Sequence, residues 1–291
     1  MRPLSDEFYN SPAQINALLA ERNLAVQKKF GQNFLIHPEL RKKLVLALDA
    51  EPGSAVWEVG PGLGAETRLL LEGGASVTAF EVDRGYCLLL NEMFAAGYPQ
   101  KWKLVEGDVL RTWKTEKSLL DESGTAGAAD ANVSLFGNLP YNIAGILLGA
   151  FAENGMFFKR AVVTVQKEVA ERICAKENSA CYSSLSVLIS SIYTASRVAL
   201  IKPANFYPPP NVDSVCIRLD IKPETAVLPS GFFRMVRALF SRRRKTLKNN
   251  LEALYGAQAA AALNAAGISP NLRAENLSVE DFLRLFAVIS K

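Results

Sequence analysis

The sequence of 291 residues is poor in the side chains that many enzymes use for catalysis. It contains one histidine, His37, and four cysteines, none in a C-x-x-C pair. A single histidine excludes a histidine-rich zinc site and does not favour a Ser-His-Asp triad. Scattered cysteines favour reduced thiols in a cytoplasmic protein over a disulfide framework. We therefore expect no metal site and a cytoplasmic location.

Long apolar runs are also missing. The longest lie far below the length of about 20 residues that spans a membrane, and residues 1–7 carry acids rather than an apolar signal core. Hydrophobic residues make up 49% and charged residues 21%, as is typical of globular proteins. The length predicts about two domains, and we expect a monomer with no membrane partner.

Acidic side chains are absent from one stretch near the C-terminus. The net charge is only +4, yet residues 231–251 contain seven arginines and lysines and no acid. Solvated helix faces normally mix both signs, so this stretch favours a polyanion such as RNA over a plain solvated face. The candidate RNA-binding residues are Arg242, Arg243, Arg244, Lys245 and Lys248.

Short apolar strands alternate with helices from residue 55 onward, which is typical of a doubly wound α/β sheet. The predicted strands are residues 55–59, 76–82, 102–105, 132–136 and 161–165. Helices are predicted near residues 64–72, 84–96, 142–153 and 167–175. Two further strands, 191–201 and 212–219, are predicted to form an antiparallel edge.

Other segments are expected to flank this sheet. Residues 28–35 are predicted as a loop, 114–130 as a surface insertion and 223–230 as a linker. Beyond the linker only helical patterns occur, at residues 231–255, 257–266 and 278–289.

A glycine loop follows the first strand of the sheet. Its G-x-G-x-G spacing differs from the G-x-G-x-x-G of dinucleotide-binding proteins, and Pro61 removes an amide that a pyrophosphate would use. Glu81 ends the next strand and Asp108 follows the third, where acids can bind ribose hydroxyls and an adenine amine. Together these features favour an adenosine-bearing cofactor over ordinary turns with solvated acids.

The segment Asn138-Leu139-Pro140-Tyr141 follows the fourth strand and suits the exocyclic amine of a base. Such an amine is a poor nucleophile because its lone pair is delocalised into the ring. The side-chain carbonyl of Asn138 and a backbone carbonyl next to Pro140 would accept hydrogen bonds from it and direct the lone pair at an electrophile. Tyr141 offers a stacking face. No general base is required, because the proton leaves after alkylation.

These motifs occur in the same order in the ribosomal RNA adenine dimethyltransferases, and the sequence resembles their small-subunit (16S) type. The strings that carry the resemblance, between residues 26 and 251, are KKFGQNFL, EVGPGLG, EGD, GNLPYNIA and PANFYPPPNVDS. The resemblance implies S-adenosylmethionine as methyl donor. It implies dimethylation of two adjacent adenosines near the 3′ end of 16S rRNA, with the small ribosomal subunit or its precursor as partner.

The resemblance also implies roles for individual residues. A Rossmann-like catalytic domain would occupy residues 1–223 and a small all-α RNA-binding domain residues 224–291. The implied cofactor contacts are Asn33, Leu35, Gly60, Gly62, Glu81, Asp108 and Asn138. The implied catalytic residues are Asn138, Leu139, Pro140, Tyr141 and a second stacking aromatic, Phe206, for which core packing is the alternative.

The sequence departs from the family pattern at a few places, and two other functions stay open. Glu66 is an acid where family members have an apolar or small residue, and the segment before Leu185 lacks the usual glycine and basic residue. Glu58, inside an apolar strand, is expected to be structural. The alternatives are a 23S rRNA methyltransferase of the macrolide-resistance type and a ribosome-assembly factor with secondary methylation.

Overall fold

The computed structural model describes residues 3–27, 30–122, 132–223, 228–229 and 231–290. Its strands are β1 Phe34–Leu35, β2 Ala55–Val59, β3 Ser76–Glu81, β4 Trp102–Glu106, β5 Val133–Asn138, β6 Arg160–Gln166, β7 Tyr193–Ile201, β8 Phe206–Tyr207 and β9 Ser214–Ile221. Its helices are α1 Asp6–Tyr9, α2 Pro12–Glu21, α3 Pro38–Leu48, α4 Ala65–Glu72, α5 Arg84–Phe94, α6 Val109–Glu122, α7 Ala144–Glu153, α8 Lys167–Ile173, α9 Ser184–Ile192, α10 Phe232–Ser241, α11 Leu247–Tyr255, α12 Gln258–Ala265 and α13 Val279–Ile289. None of these helices is long and apolar enough to cross a membrane.

The main sheet has seven strands in the order β4-β3-β2-β5-β6-β9-β7. The first five run parallel, and β9 is antiparallel to both β6 and β7. The α/β fold and its antiparallel edge are confirmed. Chain order reverses between β2 and β5, so the carboxyl ends of β4, β3, β2 and β5 share the edge where open α/β sheets bind ligands.

The C-terminal helices share a hydrophobic core with one face of the sheet. Phe232 and Met235 of α10 are fully buried in the same cluster as Leu147 of α7 and Leu188 of α9. This part is entirely helical from Phe232 to Ile289, as predicted. The predicted linker lies partly outside the described residues, and the division at residue 223 stays a prediction.

Several segments differ from the sequence-based expectation. The predicted insertion begins inside a helix, because α6 continues to Glu122 and is supported by a 2.7 Å ion pair between Lys117 and Asp121. The rest of the insertion, residues 123–130, lies outside the described residues. The single helix predicted over 231–255 is two helices, since the Thr246 hydroxyl caps a new helix, α11.

Two further elements depend on contacts that a local pattern does not show. Phe34–Leu35, predicted as loop, pairs antiparallel with β8 to form a separate two-stranded sheet. Lys28 and Lys29 of the same segment lie outside the described residues. Helix α9 was not predicted, and at its start the Ser183 amide donates to the Ser186 hydroxyl at 3.0 Å.

Candidate active site

One cavity of about 250 Å³ opens at the carboxyl ends of β2, β3, β4 and β5. The N-terminal segment around β1 forms one wall, and the segment after β5 forms another. Every residue predicted to contact the cofactor lines this cavity, namely Asn33, Leu35, Gly60, Gly62, Glu81, Asp108 and Asn138. The structure thus brings together residues that lie up to 105 positions apart in sequence.

The floor of the cavity is the glycine loop after β2. Gly60 and Gly62 have φ values of 71° and 57°, which side-chain-bearing residues rarely adopt. A β-carbon on Gly62 would lie 3.1 Å from the ring of Phe34, which covers the loop. The loop therefore needs glycine, and its bare backbone leaves room for a ligand such as an adenosine-bearing cofactor.

Two carboxylates are held at fixed orientations beside this floor. Glu81 is 6% exposed, and its Oε1 accepts hydrogen bonds from the amides of Val82 and Asp83 at 2.9 and 2.8 Å. Burial raises the pKa of Glu81 to about 7, while these amides oppose the rise. Asp108 is exposed, and its Oδ1 accepts from the amide of Leu110 at 2.9 Å at the start of α6. Both acids are placed to accept hydrogen bonds from a nucleoside.

The Asn138 side chain is oriented by the N-terminal segment. Its Nδ2 donates to the backbone carbonyl of Asn33 at 2.8 Å, while its Oδ1 accepts no hydrogen bond from any described residue. The Pro140 carbonyl is occupied by the amides of Ile143 and Ala144 at 3.0 and 3.1 Å. The neighbouring Leu139 carbonyl has no partner within the described chain. Two acceptors, Asn138 Oδ1 and the Leu139 carbonyl, therefore remain for a ligand.

Tyr141 and Phe206 are placed differently from each other. The Tyr141 hydroxyl shares a 2.7 Å hydrogen bond with the Ser214 hydroxyl, and its ring lines a second cavity between α7, α9 and α10. Phe206 is only 2% exposed, lines neither cavity, and lies in β8 opposite Leu35. This burial beside Leu35 matches the core-packing alternative, and a stacking role for Phe206 stays a prediction.

The predicted RNA-binding side chains are all exposed, at the turn between α10 and α11 and the start of α11. Arg243, however, donates to the carbonyls of Ala180 and Tyr182, both at 3.0 Å, so it ties the turn to the segment before α9. Lys248 lies 3.7 Å from Glu252. Of the five predicted cations, Arg242, Arg244 and Lys245 have no side-chain ion pair or hydrogen bond with any described residue.

Several site residues were missed by the sequence reasoning. Arg41 is fully buried and donates to the Leu35 carbonyl at 2.9 Å and to Asn10 Oδ1 at 2.6 Å. It lies on the buried face of α3 with Leu44 and Leu48. Its helical spacing to these two leucines is visible in the sequence and could have indicated its burial. Two others lie on the cavity wall, Tyr9 and Glu66.

Comparisons with known proteins agree with this geometry. The family model described as ribosomal RNA adenine dimethylase matches residues 23–291. A Treponema denticola protein is 43% identical over 98% of this chain and 97% of its own length, and one from Streptococcus pneumoniae strain P1031 is 35% identical over 92% and 93%. Both are named ribosomal RNA small subunit methyltransferase A.

Solved structures share the fold. A Plasmodium falciparum dimethyladenosine transferase has a TM-score of 0.68 at 23% identity, covering 86% of this chain and 95% of its own. The 23S rRNA methyltransferase ErmE has a TM-score of 0.60, also at 23% identity, covering 88% and 99%. The chain therefore belongs to the ribosomal RNA adenine dimethylase family, whose members are methyltransferases with S-adenosylmethionine as methyl donor.

Proposed function

We propose that this chain dimethylates the exocyclic amines of two adjacent adenosines near the 3′ end of 16S rRNA, in the small ribosomal subunit or its precursor. The names of the relatives at 35% and 43% identity support the substrate. The observation that carries the chemistry is the oriented Asn138 side chain with its free Oδ1. The protein would act in the cytoplasm, as a monomer.

The donor is proposed to bind in the cavity at the carboxyl ends of the strands. When bound, S-adenosylmethionine supplies an electrophilic methyl group on a sulfonium. Glu81 accepts hydrogen bonds from the ribose hydroxyls, and Asp108 accepts one from the adenine amine. Backbone amides already set the orientation of each carboxylate. Asn33 and Leu35 close the cavity from the N-terminal side. The glycine floor lets the ligand approach the backbone without a β-carbon in the way.

Catalysis is proposed to come from positioning the target amine. Asn138 Oδ1 and the Leu139 carbonyl accept hydrogen bonds from the two N–H groups of the amine and draw its nitrogen toward tetrahedral geometry. The hydrogen bond from Asn138 Nδ2 to the Asn33 carbonyl holds the amide in the accepting orientation before substrate binds, as electrostatic preorganisation requires. The Tyr141 ring, anchored by Ser214, stacks on the flipped base.

The experiment that tests this chemistry is the variant Asn138→Ala. Losing one preorganised partner of a transition state costs about 10²–10³ in rate, so methyl transfer to small subunits should fall by that factor while affinities for RNA and S-adenosylhomocysteine persist. The control is Asn154→Ala, at the exposed end of α7. Equal losses of transfer, RNA binding and donor binding would show that Asn138 is structural.

RNA docking is proposed to use the turn between α10 and α11. Arg242, Arg244 and Lys245 are exposed and free of ion pairs within the described chain. Changing all three to glutamine should reduce the magnitude of the slope of log affinity against log salt by about 2–3, because each phosphate contact contributes roughly 0.7–0.9. Transfer should weaken through substrate affinity, and an unchanged salt slope would contradict this assignment.

A further inference from the structure

Glu66 is a carboxylate on the cavity wall that the activity described so far does not use. It lies in the first turn of α4, directly after the glycine loop, beside Tyr9 and Ile15. Its side chain is partly buried, forms no ion pair with any described residue, and has a hydrogen bond with its own backbone amide. The other cavity acids, Glu81 and Asp108, each accept backbone hydrogen bonds. A partly desolvated carboxylate without an ion-pair partner is costly, so its position on the cavity wall points to a ligand.

No cation of the described chain lies within ion-pair distance of Glu66. Arg41 of α3 is its nearest source of positive charge, but that guanidinium already donates to Leu35 and Asn10. Burial raises the pKa of Glu66 to about 6, and Arg41 opposes the rise, so the group is ionised at neutral pH. On the other sides lie Tyr9 of α1 and the buried Glu58 of β2, neither of which supplies positive charge.

Two further charged residues lie near Glu66. Asp6 of α1 and Arg68 of α4 form an ion pair with each other, and Arg68 also pairs with Glu72 at 2.9 Å. Arg68 is therefore committed to these two acids. In this group three acids, Asp6, Glu66 and Glu72, face two cations, Arg41 and Arg68, so a positive charge from the cavity side would be favourable.

The order of sites along the sheet edge indicates which part of the donor reaches Glu66. Asp108 follows β4, Glu81 ends β3, and the glycine loop follows β2, three neighbouring strands. With adenine and ribose at the first two sites, the amino-acid tail of the donor lies over the glycine loop, where α4 begins. This tail ends in an α-ammonium and an α-carboxylate group.

We propose that Glu66 binds the α-ammonium group of the donor's amino-acid tail and so selects for ligands that carry this tail. The inference rests on the proposed placement of the donor in this cavity. The competing explanation is that Glu66 only stabilises the start of α4, where acids interact favourably with the helix dipole. The two explanations differ in which ligands lose affinity when the charge is removed.

The test compares two adenosine thioethers by calorimetry on the full chain. S-adenosylhomocysteine carries the amino-acid tail, whereas 5′-methylthioadenosine lacks it. Glu66→Gln should weaken the binding of S-adenosylhomocysteine by about tenfold or more, as expected for a lost charge-assisted hydrogen bond. It should leave the affinity for 5′-methylthioadenosine unchanged. The matched control is Glu72→Gln on the exposed side of the same helix, which should change neither affinity. Glu66→Leu, which introduces an apolar residue as in the family pattern, should have the same effect on both affinities as Glu66→Gln.

A second readout is the pH dependence of the ratio of the two affinities. In the unmodified protein the affinity for S-adenosylhomocysteine relative to that for 5′-methylthioadenosine should fall as pH drops through about 6, because Glu66 becomes protonated. Glu66→Gln should remove this pH dependence. Glu81 contacts both ligands alike and cancels in the ratio. Equal effects of Glu66→Gln on the affinities for both ligands, or no effect on either, would overturn the role of Glu66 but not the placement of the donor. Failure of the unmodified protein to bind S-adenosylhomocysteine would overturn the donor placement as well.

Discussion

Replacing Glu58 with glutamine is expected to stabilise the protein at neutral pH. Glu58 lies in β2 just before the glycine loop, is 2% exposed, and is bonded to the Thr67 hydroxyl at 2.6 Å. Burial raises its pKa from 4.5 to about 8, and the nearby acids Glu66 and Glu81 add to the rise. At pH 7 the carboxyl is therefore protonated in the folded protein and ionised in the unfolded chain.

The sign and size of the effect follow from proton linkage. Between pH 4.5 and about 8 the folded state holds a proton that the unfolded state has released, so the free energy of unfolding falls as pH rises through this window. The gap between 4.5 and pH 7, at about 1.4 kcal/mol per pH unit, corresponds to about 3 kcal/mol. Glutamine has the same shape and no charge, so Glu58→Gln should recover most of this at pH 7 and little near pH 4.5.

The assay is urea unfolding at about pH 5, 7 and 8.5 for the unmodified protein, Glu58→Gln and the exposed control Glu72→Gln. The difference between Glu58→Gln and the unmodified protein should grow with pH, while the control follows the unmodified protein. Parallel curves for all three proteins would refute the reasoning, because they would show that Glu58 has the same proton affinity in the folded and unfolded states.

Other variants test particular contacts. A β-carbon on Gly137 would lie 2.5 Å from the carbonyl oxygen of Val59, so Gly137→Ala should lower the free energy of unfolding by about 2 kcal/mol or more, and unchanged denaturant melts would contradict that packing. Arg243→Ala removes two hydrogen bonds to backbone carbonyls and should lower stability by about 1 kcal/mol. Arg243→Ala should change the salt dependence of RNA affinity less than Arg244→Ala does. The reverse ranking would show that Arg243 contacts RNA.

The α/β sheet and the cofactor cavity could be predicted because their signals are local. Strands such as β2 and β5 are buried on both faces and appear as mostly apolar runs. Acids and glycines mark the ends of these strands. Parallel strands bring their carboxyl ends to one edge, so the motifs at Gly60, Glu81, Asp108 and Asn138 meet without any knowledge of long-range packing.

The remaining features depend on partners that are distant in sequence. Phe206 is buried in β8, which pairs with β1 more than 170 residues earlier. Arg243 is committed to carbonyls more than 60 positions away. In both cases the residue type fits two roles, and the contacts that favour one of them are visible only in the folded chain. Glu66 was visible as a departure from the family pattern, but its place on the cavity wall needed the fold.

The most direct measurement of the central claim is methyl transfer to purified ribosomal subunits that lack the modification. Small and large subunits are incubated separately with the protein and labelled S-adenosylmethionine, and the 3′ fragment of 16S rRNA is then analysed by mass spectrometry. The account predicts two adjacent dimethyladenosines in the small-subunit fragment and no label in large subunits. Label in large subunits alone, or label in neither, would contradict it.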